Sequence, residues 1–195
     1  MRNLYLDFDG VVCDTIDITY KMLEEMGLDY RDKEICEPFY QKLDWNEVFE
    51  RCHIINDSIN CIQKIIDSGK FNVAFLTHVN SIGEIESKVD FIMRHFPNIT
   101  IISVPKSISK TQMVNVKDSI LIDDYTQNLI EWKQQGGYGI KFDLEMEYKG
   151  FPVIDRLDKI LTDPSILEDQ IIEKWFFFTF YNIVLWGRYK IWSTR

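Results

Sequence analysis

Short apolar runs alternate along this chain with longer stretches whose apolar residues recur at helical spacing. Residues 3–8 read as a buried strand, and Phe71–Leu76, Ile99–Val104, Ser119–Ile122 and Tyr138–Phe142 read as further strands. Between Asp14 and about Gly27, Ile16, Ile18, Met22, Leu23 and Met26 mix with charges as on an amphipathic helix. Residues 28–55 are polar and aromatic-rich and predict two short helices carrying Phe39, Tyr40, Trp45 and Phe49. Asp57 or Ser58 can cap a helix with Ile59, Ile62, Ile65 and Ile66 on its inner face, ending at Gly69. Ser81 with Glu84 forms a capping box for a helix through about Arg94, and Thr126–Gln135 predicts a helix stopped by Gly136-Gly137.

Strands that alternate with helices predict parallel βαβ units, hence an α/β fold with a doubly wound, Rossmann-like parallel sheet. The stretch between the first two strands is too long for one crossover helix. Residues 1–14 and 70–165 are therefore expected to form the core and 15–69 an inserted helical cap. Residues 166–195 form a separate tail whose segment Trp175–Trp186 is strongly apolar and aromatic, followed by Arg188 and Lys190. A bilayer span needs about 20 apolar residues. The shorter run predicts a packing helix, with a homodimer through it as one outcome, and makes a membrane role the lesser expectation.

At 195 residues, 46% of them hydrophobic and 27% charged, the chain can hold one α/β domain with a modest insertion. With 22 basic against 31 acidic residues its net charge is −9, which argues against a nucleic-acid partner. A small phosphorylated substrate remains compatible, because a metal and local cations can reverse the field inside a cleft. Cys13, Cys36, Cys52 and Cys61 show no CxxC spacing and the histidines are scattered, so neither zinc nor a disulfide framework is expected. Reduced thiols and an amino terminus that enters a strand at once predict a cytoplasmic protein.

The first strand ends in Asp7 and Asp9, which bracket Phe8 and precede Gly10. Side chains two residues apart on an extended segment project to the same side. Both carboxylates would thus meet beyond the carboxyl edge of the sheet, where open α/β sheets bind ligands. Carboxylates that close repel unless a cation or a shared proton relieves them, so a divalent metal with an oxyanion substrate is expected. Further polar groups follow other strands: Thr77 with His78, a lysine at 106 or 110, and Asp123-Asp124. A threonine ending a strand can be simple turn chemistry, a surface lysine is usually solvated, and a lone histidine there is as readily structural. Lys106 lies just past the third strand; Lys110 is preferred because Ser109-Lys110-Thr111 can open the next helix and reach back toward the cleft.

In that order, residues 4 to about 142 resemble the haloacid dehalogenase superfamily of phosphohydrolases. Asp7-Phe8-Asp9-Gly10-Val11-Val12 is similar to its first motif, Leu76-Thr77 to its second, Lys110 to its third and Ile120-Leu121-Ile122-Asp123-Asp124 to its fourth. The resemblance implies Asp7 as nucleophile through an aspartyl-phosphate, with Asp9 as general acid and base. It implies Mg²⁺ held by Asp7, the Asp9 backbone carbonyl and Asp123, with Asp124 ligating through water or orienting Asp7, and phosphate contacts from Thr77 and Lys110, with His78 beside them.

Gly10-Val11-Val12-Cys13-Asp14 and the segment with Asn128-Leu129, Trp132 and Gly136-Gly137-Tyr138-Gly139-Ile140 resemble the 5′(3′)-deoxyribonucleotidase branch. In that branch cap aromatics sandwich the base, which makes Phe39, Tyr40, Trp45 and Phe49 candidates for stacking. A phosphatase of (deoxy)nucleoside monophosphates is the leading expectation. The same chemistry on another phosphoester such as a sugar phosphate, a phosphomutase, or a non-catalytic binding protein of this fold are the alternatives.

Overall fold

A computed structural model of the chain describes residues 1–167. Its elements run β1 (Arg2–Leu6), α1 (Thr15–Glu25), α2 (Lys33–Lys42), α3 (Trp45–Arg51), α4 (Ser58–Asp67), β2 (Phe71–Val79), α5 (Ile82–His95) and β3 (Thr100–Pro105). They continue with β4 (Ile120–Asp123), α6 (Thr126–Gln134), β5 (Tyr138–Phe142), β6 (Val153–Ile154) and α7 (Lys159–Thr162). Single 3-10 turns occur at Ile55–Asp57 and Lys110–Gln112. The aromatic segment 175–186 lies outside the described residues. No helix among the described residues is long and apolar enough to cross a membrane.

All six strands are parallel, in the order β3-β2-β1-β4-β5-β6. Parallel strands covered on both faces are apolar throughout rather than alternating. Accordingly Leu4, Leu6, Phe75, Leu76, Ile120, Leu121 and Ile122 are all fully buried. The chain first winds outward from β1 through β2 to β3, then returns to lay β4 on the other flank of β1. That reversal leaves a crevice at the carboxyl ends of β1 and β4, where the backbones diverge.

Three expectations need correction. The sheet carries one strand beyond Tyr138–Phe142: Val153–Ile154 pairs with Lys141 and Phe142. Two residues give no readable period, so only the pairing reveals it. The second strand also runs on past Leu76 to Val79, because its ladder with β3 continues to Val79 and Pro105. Asp57, placed as a cap of α4, makes no capping hydrogen bond with its side chain; it adopts φ 61°.

Residues Met1–Lys159 form one compact unit that includes the helices after β1; a second unit begins at Ile160. Of those helices, α4 packs on β2. The chain leaves and re-enters the core at one point: Asp14 N–H donates to His53 O at 3.0 Å and Ile55 N–H to Val12 O at 2.9 Å. Ser58 Oγ–H adds a bond to Val12 O at 2.9 Å. The helices α1 to α3 thus hang from a closed doorway.

Phe8, fully buried between the two acids, anchors one side of the sheet. It meets Phe49 of α3, Phe75 of β2 and Phe91 of α5 edge-on at 5.6, 6.2 and 5.5 Å between centroids. A second cluster gathers Tyr5, Leu76, Leu121, Leu129, Phe151 and Trp132. Trp132 stands edge-on to Tyr5 at 5.4 Å and donates from its indole to Ser119 O at 3.4 Å. It fits because residue 137 is glycine: a Cβ there would lie 2.4 Å from the indole ring. Replacing this fully buried ring by Trp132→Ala should lower unfolding free energy by about 3–5 kcal/mol, measured by urea denaturation. A loss below about 1 kcal/mol would show that the neighbouring helix collapses into the gap.

Candidate active site

The crevice at the ends of β1 and β4 is built on a chain of buried ionic contacts. Asp7 follows β1 directly; its N–H donates to Ile122 O at 2.9 Å, which locks it to β4. Phe8 N–H donates to Asp7 Oδ1 at 2.8 Å, turning the carboxylate away from the core. Lys110, in the 3-10 turn capped by Ser109, is 1% exposed, and its ammonium lies 2.9 Å from Asp7 Oδ1 and 2.7 Å from Asp123 Oδ2. Asp123 also accepts from Tyr125 N–H at 2.8 Å and Asn128 Nδ2 at 2.9 Å. Burial alone would push the Lys110 ammonium down; the Asp123 and Asp7 carboxylates more than reverse that and hold it above its ordinary value. Lys106, the other lysine weighed from sequence, is exposed on the cavity wall.

Asp7, Asp123 and Asp124 each bring a carboxylate oxygen within 4.8 Å of the others. Burial, then the neighbouring acids, raise the Asp7 carboxyl despite Lys110. For Asp124, burial followed by Asp7 and Asp123 pushes the carboxyl up to about 8, with Lys141 of β5 opposing. Lys141 Nζ donates to the Asp124 backbone carbonyl. Gly10, at φ 70°, makes room for this carboxylate: a Cβ there would stand 2.3 Å from Asp124 Oδ2. Acids crowded until one holds a proton near neutrality, all of them hard oxygen donors, fit a divalent cation such as Mg²⁺.

Asp9 faces a different set of partners. Thr15 Oγ1–H donates to its Oδ1 at 2.7 Å, and Lys88 Nζ donates to its Oδ2 at 2.5 Å. Burial pushes the Asp9 carboxyl up, but the Lys88 ammonium and the Lys88 and Thr15 hydrogen bonds outweigh it and leave it below its ordinary value. Thr77 is fully buried; its hydroxyl lies 3.4 Å from Asp9 Oδ2, and its side chain stands behind the cavity wall. His78 does line the cavity, with Nε2 at 3.0 Å from Ile108 O, and burial holds its imidazole below its ordinary 6.5.

Lys88 was not foreseen. It sits opposite Glu84 one turn apart on α5, a spacing that reads as a solvated helix pair. The available signal was its place on the same face as buried Phe91 and Ile92. Thr15, the first residue of α1, and Lys141, which β5 places beside the end of β4, were likewise unforeseen.

Together these groups open into a cavity of about 800 Å³, within the usual range for small-molecule sites. Its lining includes Asp7, Asp9, Asp124, Lys106 and His78 together with the aromatic rings of Tyr20, Tyr40 and Trp45. Of the aromatics proposed for stacking, Tyr40 and Trp45 line the cavity, whereas Phe39 and Phe49 do not. Phe49 is taken up by packing on Phe8 and Phe91, and Phe39 stands edge-on to Tyr40 at 5.2 Å. Tyr20, not foreseen, joins the wall from α1. Trp45 is 4% exposed, and its indole N–H has no hydrogen-bond partner among the described residues.

No protein-family sequence model matches the chain. No curated protein matches it in sequence. Its fold is that of haloacid dehalogenase-type hydrolases. A HAD phosphatase from Thermococcus onnurineus is similar over 82% of this chain and 96% of its own, at 13% identity and a TM-score of 0.56. A HAD-superfamily hydrolase of subfamily IA, variant 1, from Geobacter sulfurreducens is similar over 83% and 98%, at 11% identity and a TM-score of 0.54. A D,D-heptose 1,7-bisphosphate phosphatase from Burkholderia thailandensis is similar over 84% and 97%, at 14% identity and a TM-score of 0.51.

The raised Asp124 carboxyl has a consequence for stability. The folded chain binds this proton more tightly than the unfolded chain, so the contribution is full below the ordinary 3.8 and is lost as pH rises through about 8. In EDTA, the unfolding free energy of wild type relative to Asp124→Asn should fall as pH rises from about 5 to about 9. A constant difference, measured by denaturant titration, would mean that Asp124 keeps an ordinary proton affinity.

Proposed function

We propose that the protein is a Mg²⁺-dependent phosphomonoesterase that works through a phosphorylated Asp7, with (deoxy)nucleoside monophosphates as its substrates. The observation that carries this reading is the convergence of Asp7, Asp123 and Asp124 at the sheet's switch point, with buried Lys110 on the first two. Phosphate-monoester hydrolysis has one of the highest uncatalysed barriers known, and a covalent intermediate divides it into two lower ones.

Asp7 is the nucleophile in this scheme. Its N–H is tied to Ile122 and one oxygen to Phe8 N–H, so the carboxylate is aimed before substrate arrives. A divalent cation held by Asp7, Asp123 and Asp124 would neutralise the charge shared by the acids and the transferring phosphoryl group. Asp9, ionised in the free site, takes up a proton as the substrate enters and passes it to the leaving oxygen as the phosphorus–oxygen bond breaks. It then takes a proton from the water that hydrolyses the aspartyl-phosphate. Lys110 keeps Asp7 and Asp123 oriented, and Lys106 offers a cation on the cavity wall for the phosphoryl oxygens.

The substrate class rests on the aromatic lining of the cavity. Tyr20, Tyr40 and Trp45 contribute aromatic surface on which a base could stack. A sugar phosphate is the second reading, favoured by Asn80, Gln127, Asn128 and Glu131, which line the cavity with groups suited to hydroxyls.

Hydrolysis of p-nitrophenyl phosphate should require Mg²⁺ and stop in EDTA. Asp7→Asn should lower turnover by about 1000-fold or more with the fold retained by circular dichroism. Substantial activity in that variant would remove Asp7 as nucleophile, and metal-independent turnover would remove the cation. Across dUMP, dTMP, dGMP and hexose phosphates, kcat/KM should favour the nucleotides by at least about tenfold. The reverse order would transfer the assignment to sugar phosphates.

A further inference from the structure

Lys88 takes no part in phosphoryl transfer from Asp7, yet it is fully buried behind the cavity. Its ammonium meets Asp9 Oδ2 at 2.5 Å, Glu84 Oε1 at 2.7 Å, His78 O at 2.9 Å and Thr77 Oγ1 at 3.2 Å. A lysine has three N–H donors, and the first three acceptors saturate them. The ring centroids of Phe8 and Trp45 lie 5.7 and 5.8 Å from the same nitrogen. Glu84 is fixed in turn: Asn80 N–H and Nδ2 both donate to its Oε2, at 2.6 and 2.9 Å. The capping-box glutamate thus binds the residue before Ser81, leaving its other oxygen for Lys88.

We propose that Lys88 is a positioning residue that aims the Asp9 carboxylate at the leaving oxygen of the ester. The inference rests on the reading of Asp9 as the acid–base group. Asp9 is held at both oxygens, by Thr15 from α1 and by Lys88 from α5, so its plane is set by two elements that approach from different sides. Lys88 itself has little freedom, because α5 is pinned through Phe91 to Phe8, the residue next to Asp9. A buried ion pair is a weak device for stability alone, since an apolar side chain of similar volume commonly serves as well. A group that orients an acid needs the charge and the direction together.

The leaving group distinguishes aim from scaffolding. A p-nitrophenolate departs with little help from a proton donor, whereas the alkoxide of glycerol 2-phosphate needs one as the bond breaks. Lys88→Met should lower kcat on glycerol 2-phosphate by about 100-fold, with KM within about threefold, and kcat on p-nitrophenyl phosphate by less than about tenfold. Asp9→Asn should show the same selectivity more strongly. An equal loss on both substrates in Lys88→Met, or no loss, would overturn the positioning role while leaving Asp9 in place. Loss without leaving-group selectivity in Asp9→Asn would instead overturn the acid–base reading. Because removing Lys88 leaves Glu84 buried without a counter-charge, Lys88→Met/Glu84→Gln provides a second variant, with the same selectivity expected. Failure of both variants to fold would assign Lys88 to the scaffold and overturn the proposal.

Discussion

The ammonium of Lys110, set between Asp7 and Asp123, is the contact on which the site depends. β1 and β4 pair in parallel up to Leu6 and Ile122, so their next residues bring two carboxylates to the same place. Left alone they would repel in a region with little water. Lys110 lies against both; Phe8 N–H and Asn128 Nδ2 donate to the same two oxygens, and Tyr125 N–H donates to the other oxygen of Asp123. Breaking one partner of such a buried set typically costs about 3–5 kcal/mol, because the remaining charge cannot regain its hydration. The same arrangement keeps Asp7 at the crevice surface, with Asp123 buried behind it.

The two acids that flank Phe8 draw on different cations. On one side Lys110 serves Asp7 and Asp123; on the other Lys88 serves Asp9 and Glu84. Their proton affinities move in opposite directions, Asp7 upward and Asp9 downward, although the residues are separated by a single ring. Two carboxylates with distinct surroundings can hold distinct roles, which neighbours in one shared environment could not.

Much of the architecture was legible because of burial. Parallel strands covered on both faces become continuous apolar runs, and acids at the ends of such runs, Asp7 and Asp123, stand out against them. Other features depended on information the linear pattern lacks. Val153–Ile154 is too short to show a period. Lys88 reads as half of a surface pair with Glu84, and only tertiary packing turns it inward. Among the cap aromatics, composition identified a ring-rich segment but could not say which ring faces the cavity. Tyr40 and Trp45 do, Phe49 is consumed by Phe8, and Tyr20 enters from a helix whose pattern looked merely amphipathic. For the third cation, the local turn chemistry at Ser109 favoured Lys110, and its ammonium reaches the acids that Lys106 does not.

The hydrogen bonds that join Asp14 to His53 and Ile55 to Val12 bring the two ends of the α1–α3 segment together at the rim of the sheet. A segment closed at its base is interchangeable: its length enters the chain entropy only logarithmically, about 0.6 kcal/mol for each doubling. Substitutions, insertions or wholesale replacement above that junction leave Asp7 and Asp123 where the strands put them. Selection can therefore reshape what the molecule recognises while the machinery beneath stays untouched, provided that Thr15 and the packing of Phe49 on Phe8 are kept.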